Sequence, residues 1–332
     1  MFAQKTILIT GGTGSLGNKI TETLTKRFPE IKKIIIYSRD EQKQFQMAQK
    51  FPSLEFPNIR FFIGDIRDKE RLRRALYGVD YVIHTAALKH VPIAEYNPDE
   101  CVKTNIFGAM NLIECAIECK VKKVVALSTD KACSPINLYG ASKLASDKLF
   151  IAANHISGGN TIFSVVRYGN VIGSNGSVIP FFLKIKESGI LPITDKRMTR
   201  FNISLEDGVQ MVLHALENSW GGELYIPKLP SYKIMDVAKA VDEKSKIKII
   251  GIRPGEKIHE EMISSSDSFN TYDLGNYYVI LPQITNFDRN EYLKHFNGRK
   301  VEEGFSYNSG TNTEWVSVQE LKDLIKKHIV QS

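Results

Sequence analysis

The sequence predicts an α/β protein built on a doubly wound parallel sheet, with a smaller C-terminal α/β lobe. Three observations lead there. Lys5–Thr10 is a short apolar strand, and Gly11-Gly12-Thr13-Gly14-Ser15-Leu16-Gly17 follows it into a helix. Apolar runs of strand length then alternate with helical stretches as far as Tyr168, the rhythm of a parallel sheet wrapped by helices. Beyond Asn170-Val171-Ile172-Gly173 that rhythm breaks into short helices and short strands. At 332 residues the chain is long for one core, so the expected division is 1–170 and 171–332.

Composition removes several classes of function. The chain is 42% hydrophobic and 24% charged, which is ordinary for a globular protein. No apolar run approaches the ~20 residues of a membrane span. Met1-Phe2-Ala3-Gln4-Lys5 leads into the first strand without the features of a signal peptide, so a cytoplasmic protein with no membrane partner is expected. Cys101, Cys115, Cys119 and Cys133 form no Cys-x-x-Cys pair and have no histidines at zinc spacing, so no metal site is expected. Cys115 and Cys119 share a helix face and read as packing. The net charge of +7 is scattered and accompanied by no recognition motif, which argues against nucleic acid. A phosphorylated small molecule is served equally well by a few of those cations.

The elements follow in order. The first strand with Gly11, Gly14 and Gly17, Thr13 and Ser15 between them, is a dinucleotide fingerprint: a tight turn, a close approach to pyrophosphate, then a helix N-terminus facing the phosphates. The expected architecture is thus Rossmann-like. Lys33–Tyr37 is the second strand, ending in Ser38-Arg39-Asp40 with Lys43 a turn on. Ser38, Arg39 and Lys43 at the adenosine ribose favour NADP, while Asp40 keeps NAD open. Arg60–Gly64 is the third strand, with Asp65 and Ile66 placed to meet the adenine. Tyr81–His84 is the fourth. Ala86 and Ala87 beyond it let the backbone pass close to a flat ligand, Lys89 can meet a substrate anion, and His84 reads as a packed strand residue. A long helix from Pro98 to Cys119 carries Asn105 in its middle, a poor helix former there unless its amide serves the cofactor site.

The chemistry concentrates at the end of the fifth strand. Val124–Leu127 is apolar, and Ser128-Thr129-Asp130-Lys131 follow it. A helix from Tyr139 to Asn154 then places Tyr139 and Lys143 one turn apart on one face. A tyrosine is a weak base at neutral pH, and an ammonium one turn away favours the phenolate. Thr129 can donate to a substrate oxygen, and Asp130 with Lys131 offers an acid/base pair. Ligands bind outside the carboxyl ends of the strands in such sheets, which is where this cluster falls.

Thr161–Tyr168 reads as the sixth strand. In the second half, helices are expected over Val178–Glu187, Leu205–Asn218 and Ile234–Val241, and strands over Glu223–Ile226 and Ile247–Gly251. Arg197, Arg200 and Arg253 suit bidentate phosphate binding, although Arg197 is equally a surface residue. Arg253-Pro254-Gly255-Glu256-Lys257 reads as a turn starting a helix. From Ile284 the sequence is polar and shows little pattern until an amphipathic helix over Val318–Val330.

Together these residues resemble an extended short-chain dehydrogenase/reductase. The glycine fingerprint, Thr129, Tyr139 and Lys143 match that superfamily in type and order, and Thr129-Asp130-Lys131 points to its nucleotide-sugar dehydratases. Lys89–Pro98, Ser128–Lys143, Arg167–Val171, Arg197–Phe201 and Arg253–Lys257 resemble the inverting UDP-N-acetylglucosamine 4,6-dehydratases that begin pseudaminic acid synthesis for flagellin glycosylation. The likeness weakens after about residue 265. Asn202 departs from it, standing where a tryptophan is expected after Phe201, which bears on local packing. Retaining relatives usually carry methionine at the position of Tyr139 and an N-terminal membrane region.

The resemblance implies UDP-N-acetylglucosamine as substrate, NADP as cofactor and a homo-oligomer. It also implies substrate-binding roles for Lys89, Asn170, Arg200, Arg253 and Glu256. The implied reaction is a closed redox loop. Tyr139, with its pKa lowered by Lys143, takes the 4-hydroxyl proton as carbon-4 is oxidised by NADP⁺. Lys131, requiring a depressed pKa, takes the carbon-5 proton, Asp130 protonates the departing 6-hydroxyl, and hydride returns to carbon-6. Three alternatives remain at this level: a retaining dehydratase, a UDP-sugar 4-epimerase, and a non-catalytic NADP-sensing protein, the last expected to lack Tyr139 and Lys143.

Overall fold

The computed structural model describes residues 2–172, 178–283 and 287–327. Six parallel strands, β1 (Thr6–Thr10), β2 (Lys33–Ser38), β3 (Ile59–Ile63), β4 (Tyr81–His84), β5 (Lys123–Leu127) and β6 (Ile162–Val166), lie in the order β3-β2-β1-β4-β5-β6. That order reverses between β1 and β4, the point at which doubly wound sheets bind dinucleotides. The helices are α1 (Ser15–Arg27), α2 (Glu41–Lys50), α3 (Lys69–Ala75), α4 (Val91–Tyr96), α5 (Pro98–Val102), α6 (Gly108–Glu118) and α7 (Leu138–Ile156).

The pleat sorts the apolar residues into two layers. Leu8, Ile35, Val82, Val124 and Phe163 face one way, packing with Leu72 of α3, Leu112 of α6 and Phe150 of α7. Ile7, Ile9, Ile34, Ile36, Ile83 and Val125 face the other, against Ile20 and Leu24 of α1 and Val212 and Leu216 of the helix Leu205–Asn218. Strands buried on both faces cannot show a period of two, which is why the apolar runs are continuous in the sequence. Cys115 and Cys119 pack α6 on α3, their thiols donating to the carbonyls of Lys69 and Arg73.

The division at 170 does not divide the sheet. Leu224–Pro227 continues it in parallel beside β6, and Tyr277–Ile280, Thr271–Asp273 and Arg299–Lys300 follow antiparallel, making ten strands in all among the described residues. A separate small core does exist in the second half. Ile179, Phe182, Leu191, Ile193, Ile234, Val237, Leu321 and Ile325 bury one another there, beside the paired strands Ile190–Ile193 and Lys246–Ile249.

Two expectations need correction. The helix over 98–119 is not uniform: Lys103–Phe107 forms a π-turn between α5 and α6, and Asn105 sits inside it. Arg253–Lys257 is a turn and starts no helix; Gly255 is left-handed at φ 76°, and the Lys257 ammonium donates instead to the Cys133 carbonyl at 2.7 Å. The polar region after Ile284 contains a helix, Arg289–Phe296, whose Tyr292 and Phe296 pack on Trp220. The last helix is described over Val318–Ile325, and its expected end at Val330 lies outside the described residues, as does Gly173.

Candidate active site

Five strand ends make the floor of the site. At β1, Gly11 adopts φ 64° and approaches the backbone of Ala86 so closely that a Cβ would lie 2.8 Å from its Cα. That contact brings the β1 and β4 loops together, with Ala86 and Ala87 beside the fingerprint. α1 then opens with Gly14 as its N-cap and no acidic residue in its first turn, so nothing competes with an anion for its free amides. Thr13 and Ser15 flank that opening, and Gly17 is buried within the helix. The arrangement fits a dinucleotide.

At the ribose end the side chains sort themselves. The Ser38 and Thr13 hydroxyls are 2.8 Å apart. Asp40 caps α2, accepting the Lys43 amide at 3.0 Å and pairing with its ammonium at 3.2 Å, so its carboxylate is engaged. Arg39 projects with 60% of its side chain exposed, 3.6 Å from Asp65, and Ile66 is buried just beyond. Asn105 uses its amide within the protein: it accepts from the Leu88 amide at 2.8 Å and donates to the Leu88 carbonyl and the Ser142 hydroxyl. It therefore clamps the β4 loop, which leads on to Lys89, against α7. His84 is a core residue, hydrogen-bonded to Thr10, and burial pushes its imidazole down to about 3.

The polar cluster after β5 closes into one unit. Asn137 caps α7, accepting the Gly140 amide, while its own amide donates to the Gly255 carbonyl at 2.7 Å. The Arg253–Lys257 turn thereby rests on the loop that leads into α7, with Arg253 and Glu256 3.6 Å apart at its rim. Gly140 touches the Lys131 carbonyl; a Cβ there would lie 2.1 Å from that oxygen. Tyr139 is thus seated beside Thr129, Asp130 and Lys131, all buried but Lys131, which is half-buried. Thr129 donates to Asp130 at 2.9 Å, and the Lys131 ammonium donates to Asp130 at 3.0 Å and to Asn170 at 3.3 Å.

Two electrostatic expectations change. Burial pushes the Tyr139 phenol up to about 12 rather than down, opposed by the Lys131 ammonium and a hydrogen bond from Thr129. Lys143, 4% exposed, is itself lowered by burial, with Asp147 opposing. Lys131 was expected to be depressed. Burial does act in that direction, but the Asp130 and Glu260 carboxylates outweigh it and hold the ammonium above its usual range. Burial removes solvation of a charge, and two close carboxylates replace more than was lost.

Glu260 is the residue the sequence did not indicate. It is 2% exposed, with Oε1 3.4 Å from Lys131 and 3.7 Å from Arg200. Arg200 is otherwise tied to the Thr199 and Ile258 carbonyls. Asn202 is buried, its side-chain oxygen without a partner. Arg197 lies apart, paired with Asp195 on the rim of an open cavity of about 720 Å³ that also touches Lys233, His259 and Trp315 but none of the cluster.

Comparison with known proteins now decides the family. Residues 7–282 match the family model described as polysaccharide biosynthesis protein. The chain belongs to the polysaccharide biosynthesis protein family. Within reach of that family, an inverting UDP-N-acetylglucosamine 4,6-dehydratase of Campylobacter jejuni subsp. jejuni is 58% identical over 98% of both chains. A UDP-glucose 4-epimerase of Rickettsia akari is 44% identical over 98% of this chain and 96% of its own. Among solved structures, Pen from Bacillus thuringiensis superposes with a TM-score of 0.88 at 38% identity, covering 98% of each chain. DesIV, a dTDP-glucose 4,6-dehydratase of Streptomyces venezuelae solved with NAD and DAU bound, gives 0.68 at 25% identity over 76% of this chain and 86% of its own. The fold of this chain is accordingly that of the extended short-chain dehydrogenases/reductases. Among the described residues, no helix is long and apolar enough to cross a membrane.

Proposed function

We propose that the protein is an NADP-dependent lyase, an inverting UDP-N-acetylglucosamine 4,6-dehydratase, that supplies the first intermediate of pseudaminic acid synthesis for flagellin or surface glycosylation. The observation that carries this reading is the Asp130–Lys131 pair, Asp130 buried and Lys131 half-buried, packed against Tyr139 and Thr129. Oxidation at carbon-4 alone needs Thr129, Tyr139 and Lys143; an acid/base pair beside them is needed only where carbon-5 and carbon-6 also react. The likeness to the Campylobacter enzyme supports the substrate.

Gly11, Thr13, Gly14, Ser15, Gly17, Ser38, Arg39, Lys43, Asp65, Ile66, Ala86 and Ala87 would hold the dinucleotide, with Asn105 fixing the β4 loop. The engagement of Asp40 as a helix cap, with Arg39 projecting, favours the 2′-phosphate form. The bound nicotinamide supplies hydride acceptance and hydride return. Tyr139 removes the 4-hydroxyl proton, with Thr129 donating to the same oxygen and Lys143 holding its charge close by. The ketone that results acidifies the carbon-5 proton, which Lys131 removes as Asp130 protonates the leaving 6-hydroxyl. Tyr139, then carrying the 4-hydroxyl proton, returns it to carbon-5 from the opposite face. Lys89, Asn170, Arg200, Arg253 and Glu256 bind the substrate, so the residues from 171 on act mainly on the sugar nucleotide side.

The test is incubation with UDP-N-acetylglucosamine and no added coenzyme. A 4-keto-6-deoxy product with the L-configured ring is expected. A second reading, 4-epimerisation, is favoured by the Rickettsia likeness; a 4-epimer with no keto sugar would establish it in place of the first.

A further inference from the structure

Glu260 lies outside every motif on which the dehydratase reading rests, yet its placement is tightly fixed. Its amide donates to the Ser309 hydroxyl at 2.9 Å, and its carbonyl accepts the Ser309 amide at 2.8 Å. Its chain neighbours face elsewhere, His259 to Thr199 and Glu261 to Ser134. The Glu260 carboxylate is thereby aimed at Lys131, one oxygen against the ammonium and Oε2 buried with no partner. Asp130 Oδ2 is likewise buried without one. Buried carboxylate oxygens normally have hydrogen-bond partners, so two orphaned acceptors around one ammonium call for an explanation.

The chemistry provides one. Lys131 bridges Asp130 at 3.0 Å and Glu260 at 3.4 Å, with Arg200 behind Glu260 and the Tyr139 and Tyr232 phenols close by. As an ammonium it has no lone pair with which to take a carbon-bound proton. We infer that Glu260 is the proton acceptor that converts Lys131 into a base, an inference that rests on the dehydratase reading above. One Lys131 N–H bond breaks, its electron pair stays on Nζ, and an O–H bond forms on the Glu260 carboxylate. An ion pair becomes a neutral pair with no co-reactant; burial favours that change, and the attraction of the two carboxylates for the ammonium opposes it. The Nζ lone pair then takes the carbon-5 proton. Asp130 enters the cycle as the acid, having taken one proton from water before the first turnover. After it has given that proton to the 6-hydroxyl, Nζ passes the carbon-5 proton to Asp130, and Glu260 returns its own to Nζ. Every group is then as it began. Glu260 acts through Lys131 and is a positioning residue rather than a catalytic one.

The experiment compares wild type, Glu260→Gln and Glu260→Asp with UDP-N-acetylglucosamine in heavy water. Failure of the wild type to form a 4-keto-6-deoxy product would sink the dehydratase reading itself, whatever the variants do. Given wild-type product, Glu260→Gln should keep KM and the transient nicotinamide reduction while kcat falls by about 100-fold or more. Deuterium entry at carbon-5 should fall in parallel. Activity of Glu260→Gln should recover as pH rises towards about 10, where solvent base can take the Lys131 proton. Glu260→Asp, charged but withdrawn from Nζ, should lie between the two and show a weaker recovery. The inference is overturned by near-normal kcat in Glu260→Gln. It is equally overturned if reduction and dehydration fail together without pH recovery, the signature of a merely structural residue. Should Glu260→Gln not fold, the pH recovery in Glu260→Asp decides alone.

Discussion

At the scale of single residues, the proposed mechanism separates a redox group from an elimination group, and substitutions should separate them too. Tyr139→Phe should abolish every step, since no ketone forms at carbon-4. Lys131→Ala should leave the dinucleotide bound and allow transient nicotinamide reduction, seen by absorbance, while product formation stops; a near-normal rate of 6-deoxy product would refute the assignment of the base. Arg39→Ala should weaken NADP much more than NAD in titrations, and equal weakening would remove the 2′-phosphate contact. The placement of Thr129, Tyr139 and Lys143 beyond the fifth strand was legible because residue type, spacing and the strand before them agree. Glu260 was not. A lone acid far downstream has no local pattern, and only the Ser309 clamp and the turn of the chain bring it to Lys131. The protonation states were equally hidden, because the sign of the Lys131 shift depends on how many carboxylates surround it.

At the scale of elements, α7 is fixed to the sheet by a buried network. Ser128 at the end of β5 donates to Asp147 at 2.6 Å, and Arg167 beyond β6 donates to Asp147 at 3.1 Å and to the Met262 carbonyl at 2.9 Å. Asp147 lies one turn past Lys143, so the same network orients the face that carries Tyr139 and Lys143. Arg167→Leu would strand a buried carboxylate and should cost roughly 3–5 kcal/mol in a denaturant melt. A different element answers to pH. Glu223, fully buried, receives the Trp220 and Gly221 amides, and burial pushes its carboxyl up from 4.5 to about 7. The folded state therefore binds the proton more tightly than the unfolded one. Its stabilising effect is full below about pH 4.5 and lost as pH rises through about 7, by up to roughly 3 kcal/mol. The melting temperature should fall across that window, and Glu223→Gln should flatten the fall. The strands and helices around the fingerprint were legible from their apolar runs. The π-turn was not, since the bonds Asn105 makes within it, to Leu88 and Ser142, reach residues distant in sequence. Nor was the turn at Arg253–Lys257, whose partners Asn137 and Cys133 lie far away in sequence.

At the scale of the whole molecule, the stereochemical outcome is the most exacting expectation. Inversion needs proton delivery from the face opposite Lys131, and Tyr139 is the donor assigned to it. The reaction run in heavy water should place deuterium at carbon-5 of an L-configured product, read by proton NMR. A deuterated product with the D-configuration would keep the dehydratase and remove the inverting subclass. Pairing across the surface of α6 and α7 is expected to give at least a dimer, and light scattering showing a monomer would end that expectation. The parallel, doubly wound character of the sheet followed from the alternation of the sequence. The antiparallel extension did not, because three short strands of two to four residues carry too little pattern to announce a sheet.

That extension also governs how the chain can emerge during synthesis. When residue 170 leaves the ribosome, β6 has β5 on one side and nothing on the other, because Leu224–Pro227 has yet to be made. Both faces of the sheet are also incomplete, lacking Phe201 and Ile226 on one and Val212 and Tyr225 on the other. An unpaired apolar edge is a template for pairing with other chains. A nascent chain paused there would expose such an edge, and a fragment ended there should aggregate rather than fold as a free nucleotide-binding unit.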